Sequence, residues 1–426
     1  MNNQTVKPNI PVESIYEKAY FALVLLLWCE SSILPFCRAL LLPLGSRIAD
    51  LFIPSLIIVT VTSSLPYLIR SIRGTDLIFY FFAALLFLLQ YFLFPNNQSY
   101  IRSNAASVLL TCFPLLLVGV GLDIEKIGKK MYFASVLSVW LQTIYILFFK
   151  RITANTVNDG SMNLSYAMLP HVCWVMCSCF DRPSAINIIT AALGGIMLFS
   201  LGTRGSMLCL LIFVAAYLFL FKKYKYPWYT KSFVILTFVL AVVFFYPILN
   251  LFGSISEKLG LSTRLLSRVS ENTFFVSLGR DNIRTALLES LASRPMVGYG
   301  LYADRITAGS YSHNILLELC YSFGYPIGCF LFVGLAVLLF KTLKRCRRGA
   351  EQAFVLVLIC SFFVKLFLSG SFLSEKGLYL LIGMCAGVIH RGGMLPLLPD
   401  MQGSQVPSFS EKTADREMML QKETRR

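Results

Sequence analysis

Residues 314–340 read NILLELCYSFGYPIGCFLFVGLAVLLF, a run in which Glu318 is the only charged side chain. A helix crosses the hydrocarbon core of a bilayer with roughly 20 mostly apolar residues, so this run is more than long enough to span. Gly324, Pro326 and Gly328 interrupt it and predict a kinked or partly unwound helix. Runs of the same kind recur at about 19–37, 52–69, 76–95, 103–121, 131–149, 162–180, 184–202, 205–221, 231–250, 352–370 and 373–390. With 56% hydrophobic and 14% charged residues, a soluble fold of 426 residues could not cover so much apolar surface. The expected fold class is therefore all-α, a polytopic membrane protein of about 12 transmembrane helices, each satisfying its backbone amides internally.

Beyond the C-terminal end of that run stand Lys341, Lys344, Arg345, Arg347 and Arg348, and another alternate loop carries Lys222, Lys223, Lys225 and Lys231. Short basic loops stay in the cytoplasm, which puts both termini inside. The net charge of +16 is then a record of topology, and nucleic acid is not an expected partner. The chain divides into a cytoplasmic N-terminus (1–18), transmembrane helices one to nine (19–250), a long extracytoplasmic loop (251–312) and helices ten to twelve (313–390). The last segment, 391–426, is rich in Lys, Glu, Gln and Ser and is expected to be a disordered cytoplasmic tail. The first span has no convincing cleavage site behind it and reads as an anchor.

Most of the twelve cysteines lie within the runs and the long loop has none, which excludes a disulfide-built ectodomain. His171, Cys173, Cys177 and Cys179 have the look of metal ligands, but cysteine is an ordinary small filler of membrane helices. No metal and no cofactor are expected. A fixed-period internal repeat, one pointer to a secondary transporter, is absent.

On the N-terminal side of the opening run, Ser312-His313-Asn314 closes the loop. Imidazole titrates near neutrality and suits proton removal from a hydroxyl, so His313 is the candidate general base; His171 lies mid-span and His390 at the cytoplasmic end. Asn314 and Glu318, one turn on, are candidates to orient the ring or an acceptor. Within the loop, Asp281 to Ala292 has apolar residues at helical spacing, and a start one residue earlier sets Arg280 and Arg284 on one face. Two guanidinium forks suit phosphate, whether on a ligand or on a lipid headgroup. Pro295, Gly298 and Gly300 predict a turn back to the membrane, with nothing around them to support a dinucleotide site. The stretch Ser200-Leu201-Gly202-Thr203-Arg204-Gly205-Ser206 must turn at the outer surface, which holds Arg204 on the side of His313. Glu30 and Lys365 are further ionisable groups inside spans.

Taken together, Ser200 to Ser206, then Gly279-Arg280 through Pro295, Gly298 and Gly300 to Ser312-His313-Asn314 and on to Gly324 and Gly328, resemble the O-antigen ligase and polymerase superfamily of bacterial envelope polysaccharide synthesis. The helix after Arg280 lacks the aromatic residue of the family pattern. The resemblance implies a metal-independent, inverting glycosyltransferase of GT-C type in the bacterial inner membrane, with its site facing outward. Its donor would be a polyprenyl-diphosphate-linked glycan, and its acceptor a glycan or a second lipid-linked unit. Arg204 and Arg280 would bind the diphosphate, with Arg284 beside them, and His313 would act as base. Ser200, Gly205, Gly298 and Gly300 would shape the site. Membrane lipids, a chain-length regulator and a flippase are the implied partners. A polymerase, the more widespread activity, is preferred to a ligase acting on lipid A core; a flippase for the same lipid-linked sugars is the competing class.

This topology has a direct test. A cysteine placed at Ser310 in a variant without native thiols should react with a membrane-impermeant maleimide in intact spheroplasts. Labelling only after permeabilisation would invert the whole assignment.

Overall fold

The computed structural model describes residues 12–41, 45–71, 74–149, 157–201, 203–220, 279–346 and 349–394. It is all-helical, with 86% helix and no strand among the described residues. The predicted run at 231–250, the first part of the long loop and the tail beyond 394 lie outside them. Every other predicted run overlaps helix. In chain order these are α1 (Val12–Cys29), α2 (Ile33–Leu41), α3 (Ser46–Ser71), α4 (Gly74–Leu93), α5 (Gln98–Ser107), α6 (Phe113–Val120), α7 (Ile124–Ile144), α8 (Val157–Asp181), α9 (Ala185–Ser200) and α10 (Arg204–Leu220). They continue with α11 (Arg280–Ser293), α12 (Ala303–Ala308), α13 (Ile315–Arg345), α14 (Ala350–Leu358) and α15 (Lys376–Met394).

Four helical stretches are long and apolar enough to cross a membrane: Pro95–Val120, Ile124–Phe148, Ile315–Arg345 and Ala350–Phe367. Their outer faces agree with that role. Phe330, Val333, Val337 and Phe340 stand exposed along one side of α13, a cost in water that lipid removes. Polar side chains point the other way: Ser135, Ser138, Thr143, Ser165 and His171 are buried between helices, where a hydroxyl can bond a neighbour. Trp28 donates to Ser135 at 2.9 Å and so ties α1 to α7. Around these contacts Tyr20, Met168, Cys173, Phe213 and Phe354 form the central apolar core.

Two predicted spans are less regular than their sequence indicated. The run at 19–37 is split between α1 and α2, and the run at 352–370 leaves α-geometry early. After Leu358 the latter passes through a π-turn (Ile359–Phe363) and a 3₁₀ turn (Val364–Phe367), then runs irregularly to α15. Gly370, Ser369, Ser371 and Ser374 in that segment carry little apolar surface, so little is lost by unwinding there.

The predicted break in α13 is present. Gly324 has φ 79° and ψ 164°, outside helical space. The two halves fold back on one another, which brings the sulfurs of Cys320 and Cys329 to 3.8 Å; a straight helix would separate positions nine apart by about 13 Å. Carbonyls freed at the break are taken up by the segment after α11. The amides of Tyr299 and Gly300 donate to Tyr321 O and Ser322 O at 2.8 and 3.0 Å, and Tyr325 donates to Pro295 O at 2.7 Å. A Cβ at Gly324 would lie 2.3 Å from Met296 O, so no other residue fits the docked backbone.

Gly324→Ala should therefore lower the unfolding midpoint of the detergent-solubilised protein, by strain of about 1–3 kcal/mol plus the backbone clash. Gly334→Ala, later in the same helix with nothing within 4 Å, is the control and should not. An equal response of the two variants would mean that the docked break is not formed.

Candidate functional site

The predicted helix in the outer loop is present as α11, and it does begin at Arg280, so Arg280 and Arg284 share a face. Gly279 precedes it with φ 75°, turning the chain into the helix. Arg204 is likewise the first residue of its helix, α10. A cation at a helix N-terminus opposes the helix dipole; two of them brought together make sense where an anion is to be held by both the guanidiniums and the free amides.

These arginines converge although far apart in sequence. Arg204 and Arg280 are near enough for their charges to repel, and both Arg280 and Arg284 act electrostatically on His313. All three guanidiniums are half-buried. Arg280 donates to Leu368 O at 2.8 Å, using a carbonyl that the irregular segment after the 3₁₀ turn leaves open. Arg284 Nε is buried without a hydrogen-bond partner among the described residues. Neither Arg280 nor Arg284 has a carboxylate partner among the described residues.

His313 sits in the left-handed region at φ 55°, a conformation that histidine tolerates better than most residues but at a cost. Its neighbours fix it there. The Ser312 amide donates to Asp304 Oδ2 at 3.0 Å, and Asn314 caps α13 by accepting from the Leu317 amide at 3.1 Å. The imidazole packs against Tyr311, with ring centroids 4.1 Å apart, and its Nδ1 is buried without a partner. Burial, and then the charges of Arg280 and Arg284, push its pKa down from 6.5 to about 4. The ring is neutral at physiological pH and able to accept a proton.

The other expected residues fall into place unequally. Glu318 is buried and turned away: it accepts from the Ser371 hydroxyl and the Phe372 amide, and Arg305 lies 3.8 Å off. It holds the irregular segment rather than facing His313. Asn314 is occupied by its cap, and Ser200 donates to Ile196 O within its own helix. Gly205 belongs to the site: a Cβ there would meet the Tyr166 hydroxyl at 1.9 Å, so its smallness lets Tyr166 lie beside Arg204. Gly298 and Gly300 serve the docking of the loop onto α13 and bring no charge to the site. His171 is a core residue edge-on to Trp28 and bonded to Ser135. Among the described residues no group of three or more His, Cys, Asp or Glu could hold a metal.

Sequence reasoning missed Tyr166, Tyr311, Asp304 and Glu375. Tyr166 packs its hydroxyl against Gly205, next to Arg204, and has Lys365, the ion-pair partner of Glu375, 4.9 Å from its ring centroid. Nothing in the local sequence marks these residues, since an aromatic in a span is usually packing and Asp304 lies nine residues from the histidine it steadies. No family model, no curated protein and no solved structure matches this chain.

The His313 environment yields a sign. The folded ring titrates near 4 and the unfolded one near 6.5, so between these values only the unfolded chain takes up a proton. The stabilising effect of a neutral His313 is complete above the unfolded value and is lost as pH falls toward the folded one. Carbethoxylation of His313, followed by mass spectrometry across pH, should show the neutral, reactive form persisting well below pH 6. The Arg280→Ala/Arg284→Ala double variant should move the midpoint upward, and an unmoved midpoint would separate the arginines from the ring.

Proposed function

We propose that the chain is an outward-facing glycosyltransferase of the bacterial inner membrane that polymerises polyprenyl-diphosphate-linked repeat units into surface polysaccharide. The reading includes about 12 spans of GT-C type with both termini inside. The observation that carries it is the placement of Arg280 and Arg284, without carboxylate partners among the described residues, beside a neutral, backbone-strained His313, with Arg204 close to Arg280. Gathering like charges in a half-buried setting is unfavourable unless an anion completes it, and a diphosphate supplies two adjoining phosphates for the guanidinium forks.

The chemistry then balances within the protein. An acceptor hydroxyl attacks the anomeric carbon of the donor sugar, and the bond from that carbon to the diphosphate oxygen breaks. His313 takes the hydroxyl proton, while the arginines hold the charge that develops on the departing polyprenyl diphosphate. Burial first, and then the charges of Arg280 and Arg284, keep the imidazole weakly basic, and a bound anion offsets those charges and so raises its basicity once the donor is seated. A ligase acting on lipid A core would use the same steps. A flippase is less well supported, since the cations gather at one end of the helices and on a folded-back loop rather than at mid-depth.

The test is chain elongation in vitro from a purified lipid-linked repeat unit, in metal-free buffer at equal folded concentration. His313→Ala should retain donor binding and lose transfer by roughly 100-fold. Arg204→Lys and Arg280→Lys should weaken donor binding, because the charge remains and the fork does not. Glu318→Gln should affect yield and thermal stability more than turnover per folded molecule. Full transfer by His313→Ala, or a strict need for a divalent ion, would sink this mechanism.

A further inference from the structure

Tyr166 helps to line a cavity of about 380 Å³ between the end of α1, the first half of α8 and the turn into α15. That size falls within the range of small-molecule sites. Its charged lining is paired within itself. Lys365 bonds Glu375, and Lys376 bonds Glu30 at 2.8 Å, so two ammonium groups face two carboxylates. Lys365 also lies over the Tyr166 ring, 4.9 Å from its centroid. Asn163 adds an amide at the rim.

We infer that this cavity binds the uncharged, hydroxyl-rich part of a glycan. An anionic or cationic ligand would have to displace one member of a pair and leave the other unbalanced in a partly buried place. A hydroxyl group costs nothing of that kind, because it donates to a carboxylate and accepts from an ammonium at once. Leu27 and Leu380, half-buried in the lining, offer apolar contact for the C–H side of a sugar ring. Tyr166, in the cavity lining, is also the link to the arginines, since its hydroxyl packs against Gly205, the residue next to Arg204. A sugar held here therefore lies beside the place where a diphosphate would be bound.

This inference rests on the glycosyl-transfer reading, and two probes keep them apart. One is the oligosaccharide released by mild acid from the producing cell's own envelope polysaccharide, which has no phosphate. The other is polyprenyl diphosphate, which has no sugar. Both are titrated against the intact purified protein in detergent. The wild type should bind both. Glu30→Gln/Lys376→Gln, which keeps net charge and alters an exposed pair, should weaken the oligosaccharide by about tenfold or more and leave polyprenyl diphosphate unchanged. Asn163→Trp, which fills the rim, should do the same, whereas Arg280→Lys should do the reverse. If the oligosaccharide still binds with the full lipid-linked donor present, the cavity serves the acceptor; competition between them assigns it to the donor's own sugar. A wild type that binds polyprenyl diphosphate but no oligosaccharide, or cavity variants that bind it normally, would overturn the glycan cavity alone. Absence of polyprenyl diphosphate binding would instead remove the diphosphate reading beneath it.

Discussion

A broken helix in a bilayer must find partners for the carbonyls it frees, and in α13 these partners come from the segment between α11 and α12. Tyr299 and Gly300 donate to Tyr321 and Ser322, and Tyr325 donates back to Pro295. Further bonds reinforce the seam: the Asn97 amide donates to Tyr299 O at 2.8 Å and the Leu301 amide to Gln90 Oε1 at 3.0 Å. Unmade backbone bonds cost several kcal/mol each in hydrocarbon, which makes this docking close to obligatory once Gly324 breaks the helix. Arg280, Arg284 and His313 are hung from it. α11 precedes the docked segment and carries Arg280 and Arg284; α12 follows it and presents Asp304 to the strained turn at His313.

The site itself shows how a membrane helix bundle can hold charged side chains on irregular backbone. Leu368 offers a carbonyl to Arg280 because the 3₁₀ turn before it has run out of helix, and Ser371 and Phe372 in the same segment take up Glu318. Irregular backbone is tolerated at such depth where it is covered by protein or faces a cavity, and here it does both. The consequence is a division of labour between neighbouring regions. On one side of Tyr166 stand the arginines, of which Arg280 and Arg284 have no carboxylate partner among the described residues; on the other, Lys365 and Lys376 are neutralised by Glu375 and Glu30. A cationic and a charge-balanced compartment thus stand side by side, with Tyr166 lining the second.

What the sequence determined by itself was the class of fold and the vocabulary of the site. Apolar runs of spanning length leave a chain few options in lipid, so helices could be located from residues alone, and Gly324, Pro326 and Gly328 announced the break in α13. The periodicity from Asp281 to Ala292 located α11, and the turn chemistry of Ser200 to Ser206 put Arg204 at a helix start, because these are local properties of backbone and side chain. The tertiary structure decided which of these residues meet. Arg204 joins Arg280 across 76 positions, Glu318 turns from His313 toward Ser371, and Asn314 spends its side chain on a cap. The unwound segment at 368–375 and the role of Tyr166 also lay beyond local reading. Their physical cause is long-range: a free carbonyl, a buried carboxylate or a half-buried ring is satisfied by whichever distant group the packing of helices delivers, and no periodicity in one segment encodes its partner in another.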